Sequence, residues 1–149
     1  MVDLAFASPN LDVISSDPAA PGIADLVRGA ASFSDVITKD QFSRAHVVAA
    51  GRVEGDMNAL LATHMLASAL DALAQSYDYL VVDAGAQSEV AIEPIVRAAS
   101  RAVLVAGPAT DAAAAALRDQ LLTAGFADVT VLTGPPPRLD HATGRSAAA

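Results

Sequence analysis

Short apolar runs alternate with amphipathic stretches along most of the chain. Val2-Asp3-Leu4-Ala5-Phe6 has the look of the end of a buried strand, and His46-Val47-Val48-Ala49-Ala50, closed by Gly51, reads as another. Tyr79-Leu80-Val81-Val82-Asp83 is apolar until its closing acid, as expected of a strand covered on both faces in a parallel sheet. Ala102–Ala106 and Val129–Leu132 complete the strands. Between them lie helical stretches. Ile23–Val27 follows Gly22 and stops at Gly29, and Phe33–Ile37 forms a second short turn with Ser32 as its N-cap. Asp56 is placed to cap a longer helix in which Leu60, Leu61, Met65, Leu66, Leu70 and Leu73 recur at helical spacing. Two more helices are expected, from about Val90 to Ala99 and from Asp111 to Ala124 before Gly125. Residues from Ser8 to Pro21 hold three prolines with Asn, Asp and Ser and read as loop.

Regular strand–helix alternation with short connections predicts an α/β fold, a doubly wound, mostly parallel sheet. Residues 1–134 are expected to form this domain and residues 135–149, opening on three prolines, a disordered tail. Because the chain opens almost at once on a core strand, an N-terminally truncated fragment is expected. Sites in such sheets form beyond the carboxyl ends of the strands, which places Asp3, Asp83 and Gly107 along one edge.

Composition narrows the chemistry. The formal net charge is −8, and the eight arginines and single lysine, Lys39, are scattered. Nucleic acid and anionic membrane surfaces are therefore not expected partners, since both are bound by clustered cations. The chain has no cysteine, which excludes disulfides and thiolate metal sites. Ala59–Ala74, the longest apolar stretch, is interrupted by Thr63, His64, Ser68 and Asp71. It falls short of the roughly 20 residues of a membrane span.

No catalytic constellation is complete. Nothing matches Gly-x-x-x-x-Gly-Lys-Ser/Thr, the loop that cradles phosphates. Lys39 reads as a solvated loop residue. His46, His64 and His141 lack metal-ligand spacing, and Ser88 and Glu89 lie in no Gly-x-Ser-x-Gly elbow. Tyr77 and Tyr79 read as packing residues. Asp83 fits an acid that holds magnesium or its water in phosphoryl-transfer enzymes. It fits equally an acid capping the next turn, and Asp3 at the end of its own apolar strand has the same two readings.

Taken in order, several segments resemble the cytoplasmic domain of the bacterial polysaccharide co-polymerases. These are the tyrosine autokinases of exopolysaccharide and capsule synthesis, in the deviant Walker P-loop ATPase group. Val2 to Leu11 is similar to the family's second Walker motif, a strand with Asp-x-Asp, a basic stretch, Pro and Leu. Gly22–Gly29 with Ala31–Ile37 resembles its Gly-Leu-Ser-Asp-Val-Leu-x-Gly segment, and His46–Gly51 its "LHVLPAG" strand and turn. Tyr77–Asp83 looks like its "YDxVIID" Walker B strand. The resemblance runs from Val2 to about Gly134.

The resemblance implies a P-loop NTPase-like, Rossmann-like fold lacking its Walker A segment. It makes Asp3 and Asp83 vestigial nucleotide-site acids, with Asp83 the metal position. The sequence departs from the pattern at Ala5, Ala7, Ser8, Ala84-Gly85-Ala86 and Thr133-Gly134, and the phosphorylated tyrosine-rich tail is missing. So many departures imply a regulatory or assembly role without cofactor. Partners would be proteins of a polysaccharide export complex, or further copies in a homo-oligomer, on the cytoplasmic side of the inner membrane. Two rival expectations stand beside this one. Magnesium-ATP could bind a full-length kinase or ATPase with an upstream P-loop, or the chain could be a partition- or pilus-type scaffold.

Overall fold

The structure, a computed structural model, describes residues 1–53, 63–86, 92–107 and 111–134. They fall into two compact units, divided between Ser100 and Arg101; residues 135–149, expected as a tail, lie outside the described residues.

The first unit is built on four strands, β1 (Val2–Asp3), β2 (Ile37–Lys39), β3 (His46–Val48) and β4 (Val82–Asp83). Their order is β2-β3-β1-β4. β1 runs parallel to both β3 and β4, with Val2 opposite Val48 and Val82, and Asp3 opposite Asp83. β2 is antiparallel to β3, pairing Ile37 with Val48 and Lys39 with His46. Val2, Leu4, Val47 and Val48 are buried, each apolar side chain contributing roughly 1.5–3 kcal/mol by leaving water.

Helices α1 (Ile23–Val27), α2 (Phe33–Val36), α3 (His64–Ser76) and α4 (Glu93–Ala98) belong to the same unit. α3 packs on α1 and α4 through a stripe in which Leu66, Leu70 and Leu73 are buried. Their spacing puts them on one face of a 3.6-residue repeat. The Thr63 hydroxyl accepts the N–H of Leu66 at the start of the helix, relieving one of its unpaired donors. The cap is thus Thr63. Asp56, Leu60 and Leu61 lie outside the described residues, as does Val90 in the next helix. Met65, expected in the apolar stripe, lies in the first turn of the helix about 100° around from Leu66 and is 54 % exposed.

Two expectations about strands need correction. Ile37, expected in a helical turn, leaves α2 and enters β2, drawn by its pairing with Val48. Lys39 accordingly ends a strand rather than sitting in a loop, though it is exposed. The apolar run before Asp83 is not covered on both faces in this unit. β4 is an edge strand of two residues, and Tyr79 and Val81, on alternate positions, are 90 % and 59 % exposed.

The second unit pairs β5 (Arg101–Ala106) in parallel with β6 (Asp128–Thr133) across α5 (Asp111–Ala124). Leu117, Phe126 and Val129 are buried, while Val103, Val105 and Leu132 are exposed. The described strands therefore form two sheets where one was expected. Mixed α/β architecture with parallel pairing is common to both. Among the described residues no helix is long and apolar enough to cross a membrane.

Candidate functional site

The carboxyl ends of β1 and β4 bring together the two acids singled out from the sequence. Because Asp3 and Asp83 are register partners on adjacent parallel strands, they share a level of the sheet. Gly107 follows β5 in the second unit.

Their surroundings differ sharply. Asp3 is fully buried. Its Oδ1 accepts the Ala5 N–H at 2.9 Å, and its Oδ2 accepts the N–H groups of Asn10 and Leu11 at 3.0 and 3.1 Å. The chain after β1 makes this arrangement by turning back on itself. Ser8 N–H donates to the Ala5 carbonyl at 3.0 Å, and the Asn10 side-chain amide donates to the Ser8 carbonyl at 2.8 Å. Leu11–Ile14 then forms one 3-10 turn. Asp3 is thus the acceptor around which residues 5–11 fold. Ala5 is buried, whereas Ser8 is exposed.

Asp83 is exposed, and its Oδ1 accepts the Gly85 N–H at 2.9 Å. Gly85 has φ of +66°, a left-handed conformation that glycine adopts without steric cost. Ala84 and Ala86 beside it bring no polar side chain. Ser88 and Glu89 lie outside the described residues, as does His141.

A third acid at the same edge was not singled out from the sequence. Asp25 lies at the third position of α1, and its Oδ2 accepts the Gly22 N–H at 2.8 Å. Its Oδ1 pairs with the Arg28 guanidinium at 2.8 Å. Burial on its own pushes this carboxyl up, but the hydrogen bonds from Gly22, Arg28 and the Arg52 N–H outweigh it and hold it below its ordinary value. The Ile23 and Ala24 N–H groups meanwhile donate to the Ala49 and Ala50 carbonyls after β3. Gly22 and Gly51 cross here so closely that a Cβ on Gly22 would lie 2.2 Å from the Gly51 nitrogen. The Gly-x-x-Asp spacing was the available signal, since an acid three residues after a cap reaches back to its N–H.

Of the other residues read from sequence, His46 opens β3, and its Nδ1 lies 2.7 Å from the Tyr77 hydroxyl. The rings meet edge to face with centroids 5.5 Å apart. Tyr77 does pack, as expected, but Tyr79 projects into solvent. His64 begins α3 and bonds Ser68 on the next turn.

Both oxygens of Asp3 accept backbone N–H groups in a buried position, whereas the Asp83 carboxylate is exposed. Among the described residues no three His, Asp or Glu side chains gather to hold a metal.

No protein-family model matches the sequence, and no curated protein does. Solved structures do match. The chain is similar to the chimerical protein CapA2B2, with a TM-score of 0.70 and 15 % identity over 87 % of this chain and 60 % of that one. It is also similar to the BceF tyrosine kinase domain, with a TM-score of 0.68 and 23 % identity over 89 % of this chain and 55 % of that one. The second of these neighbours is a tyrosine kinase domain. At these identities the likeness is one of fold, and the chain spans little more than half the length of either structure.

Proposed function

We propose that this chain is a P-loop NTPase-like domain of the capsule and exopolysaccharide tyrosine kinase type whose nucleotide chemistry has decayed. In this reading it serves a polysaccharide export assembly as a regulatory or structural part at the cytoplasmic face of the membrane. The fold likeness supports the family. The loss of chemistry is carried by one observation, the buried Asp3 carboxylate with three backbone N–H donors on it. A metal drawing on Asp3 would have to reach a fully buried carboxylate and compete with those donors, each worth about 1.5–3 kcal/mol when the acceptor is charged. Substitution in the strand-end loops adds to this, with Ala5, Ala84 and Ala86 offering methyl groups where the kinase pattern has polar or turn-fixing residues.

Isothermal titration of the chain with magnesium-ATP tests the reading. No heat of binding is expected at nucleotide concentrations up to the millimolar range, and clear micromolar affinity would refute it. A second reading draws on the in-register placement of Asp3 and Asp83. A longer chain with a P-loop would then bind magnesium-ATP, with Asp83 at the metal and Asp3 fixing the loop beside it. Gly-Lys-Ser/Thr encoded upstream of Val2 would support this reading. Binding by such a longer chain, lost on Asp83→Asn, would establish it.

A further inference from the structure

At the opposite end of the parallel strands from the three acids, the first unit has a cavity of about 270 Å³. It opens beside the starts of β1 and β3 and the segment leading into β4. Val48, Leu73 and Leu80 supply apolar wall, and the bonded pair of His46 and Tyr77 supplies a polar one. Arg44 also lines it and is exposed, so its guanidinium lies on the solvent side. Among the described residues Arg44 has no ion-pair partner, and no carboxylate lines the cavity. That is unusual ground in a chain of net charge −8, where the average field repels anions.

An apolar hollow with a few converging polar groups is the ordinary form of a small-molecule site. The charge at this one selects the ligand class. A neutral apolar molecule would leave Arg44 unused, and a cation would meet it unfavourably. A fully polar anion would gain nothing from Leu73 and Leu80.

We propose that this cavity binds a small amphipathic anion, an aromatic ring or short hydrocarbon bearing one carboxylate. The apolar body lies against Val48, Leu73 and Leu80, and the carboxylate meets Arg44 at the rim. The proposal is independent of the nucleotide site, since it uses other residues at the other end of the strands.

Naphthalene-2-carboxylate, titrated into the isotope-labelled full chain and followed by amide chemical shifts, tests it. Saturable shifts are expected at residues 44–48 and 77–81, with residues 3–11 and 83–85 unmoved. Arg44→Gln, an exposed substitution that leaves the core intact, should weaken binding about tenfold or more, the scale of a charge-assisted hydrogen bond. Neutral naphthalene-2-carboxamide should bind the two proteins alike and weakly. The proposal is overturned if no saturable shift appears at millimolar probe, for instance because another segment of the full chain fills the cavity. It is equally overturned if the shifts cluster elsewhere, if the amide binds as tightly as the acid, or if Arg44→Gln changes nothing.

Discussion

β1 and β4 lie side by side, run the same way and end on an aspartate at the same level, yet the two ends behave as different materials. After Asp3 the chain folds back and supplies three N–H donors to one carboxylate. After Asp83 it supplies, among the described residues, one, from Gly85. The residues leading in differ as well, with Val2 buried and Tyr79 and Val81 exposed. An acid that closes an apolar strand is therefore not one kind of residue. Its role is set by what the following loop brings back to it, and by whether a neighbouring strand covers its own.

Removing the Asp3 carboxylate is the most forceful way to break this comparison. Asp3→Ala strands three N–H groups around a buried position, each costing about 1–3 kcal/mol without an acceptor, so a loss of about 4 kcal/mol is expected. Urea denaturation would read it as a fall in midpoint with little change in slope. Asp3→Asn should fall between, because the amide keeps one acceptor oxygen while its NH2 faces a donor. A loss below about 1 kcal/mol for the alanine variant would mean that the loop does not depend on Asp3.

Asp25 extends the contrast to pH with a smaller effect. Its folded-state value lies below the ordinary one, so as pH falls the unfolded chain takes up this proton first. The stability from Asp25 is thus fully present above the ordinary carboxylate value of about 4 and is lost as pH falls through the folded value. Asp25→Asn should cost about 1 kcal/mol at neutral pH, partly offset by solvent around the Arg28 pair. The variant's stability should then decline less steeply than the wild type's below about pH 4. Parallel curves would show that Asp25 does not titrate differently in the two states.

Much of the fold was legible in sequence because it is local. The leucines of α3, the alanine-rich α5 and the strands β5 and β6 each carry their own periodicity. β2 was not, since Ile37-Thr38-Lys39 is a strand only by pairing with β3. The exposure of Tyr79 and Val81 was hidden for a related reason: an apolar run reports what a strand is suited to contact, not which neighbours it has. At the site, the positions of Asp3 and Asp83 could be read, but not the inward engagement of Asp3. Its donors are backbone N–H groups, which nearly every residue type carries. The His46–Tyr77 bond joins residues 31 apart in sequence, and no short motif encodes such a pair.

The smallest expected effect bears most directly on function. Asp83→Asn should change stability by less than about 0.5 kcal/mol, because the side chain is exposed and an asparagine oxygen can still accept the Gly85 N–H. That near-neutrality makes the variant a clean probe of metal binding. A ligand that binds only the folded state raises stability by an amount set by its concentration and affinity. Under the decayed-site reading, millimolar magnesium should shift the denaturation midpoints of wild type and Asp83→Asn equally, through general screening alone. A shift in the wild type that the variant lacks would make Asp83 a working metal ligand. The open carboxylate at the end of β4 would then be functional, and only the closed one at the end of β1 structural.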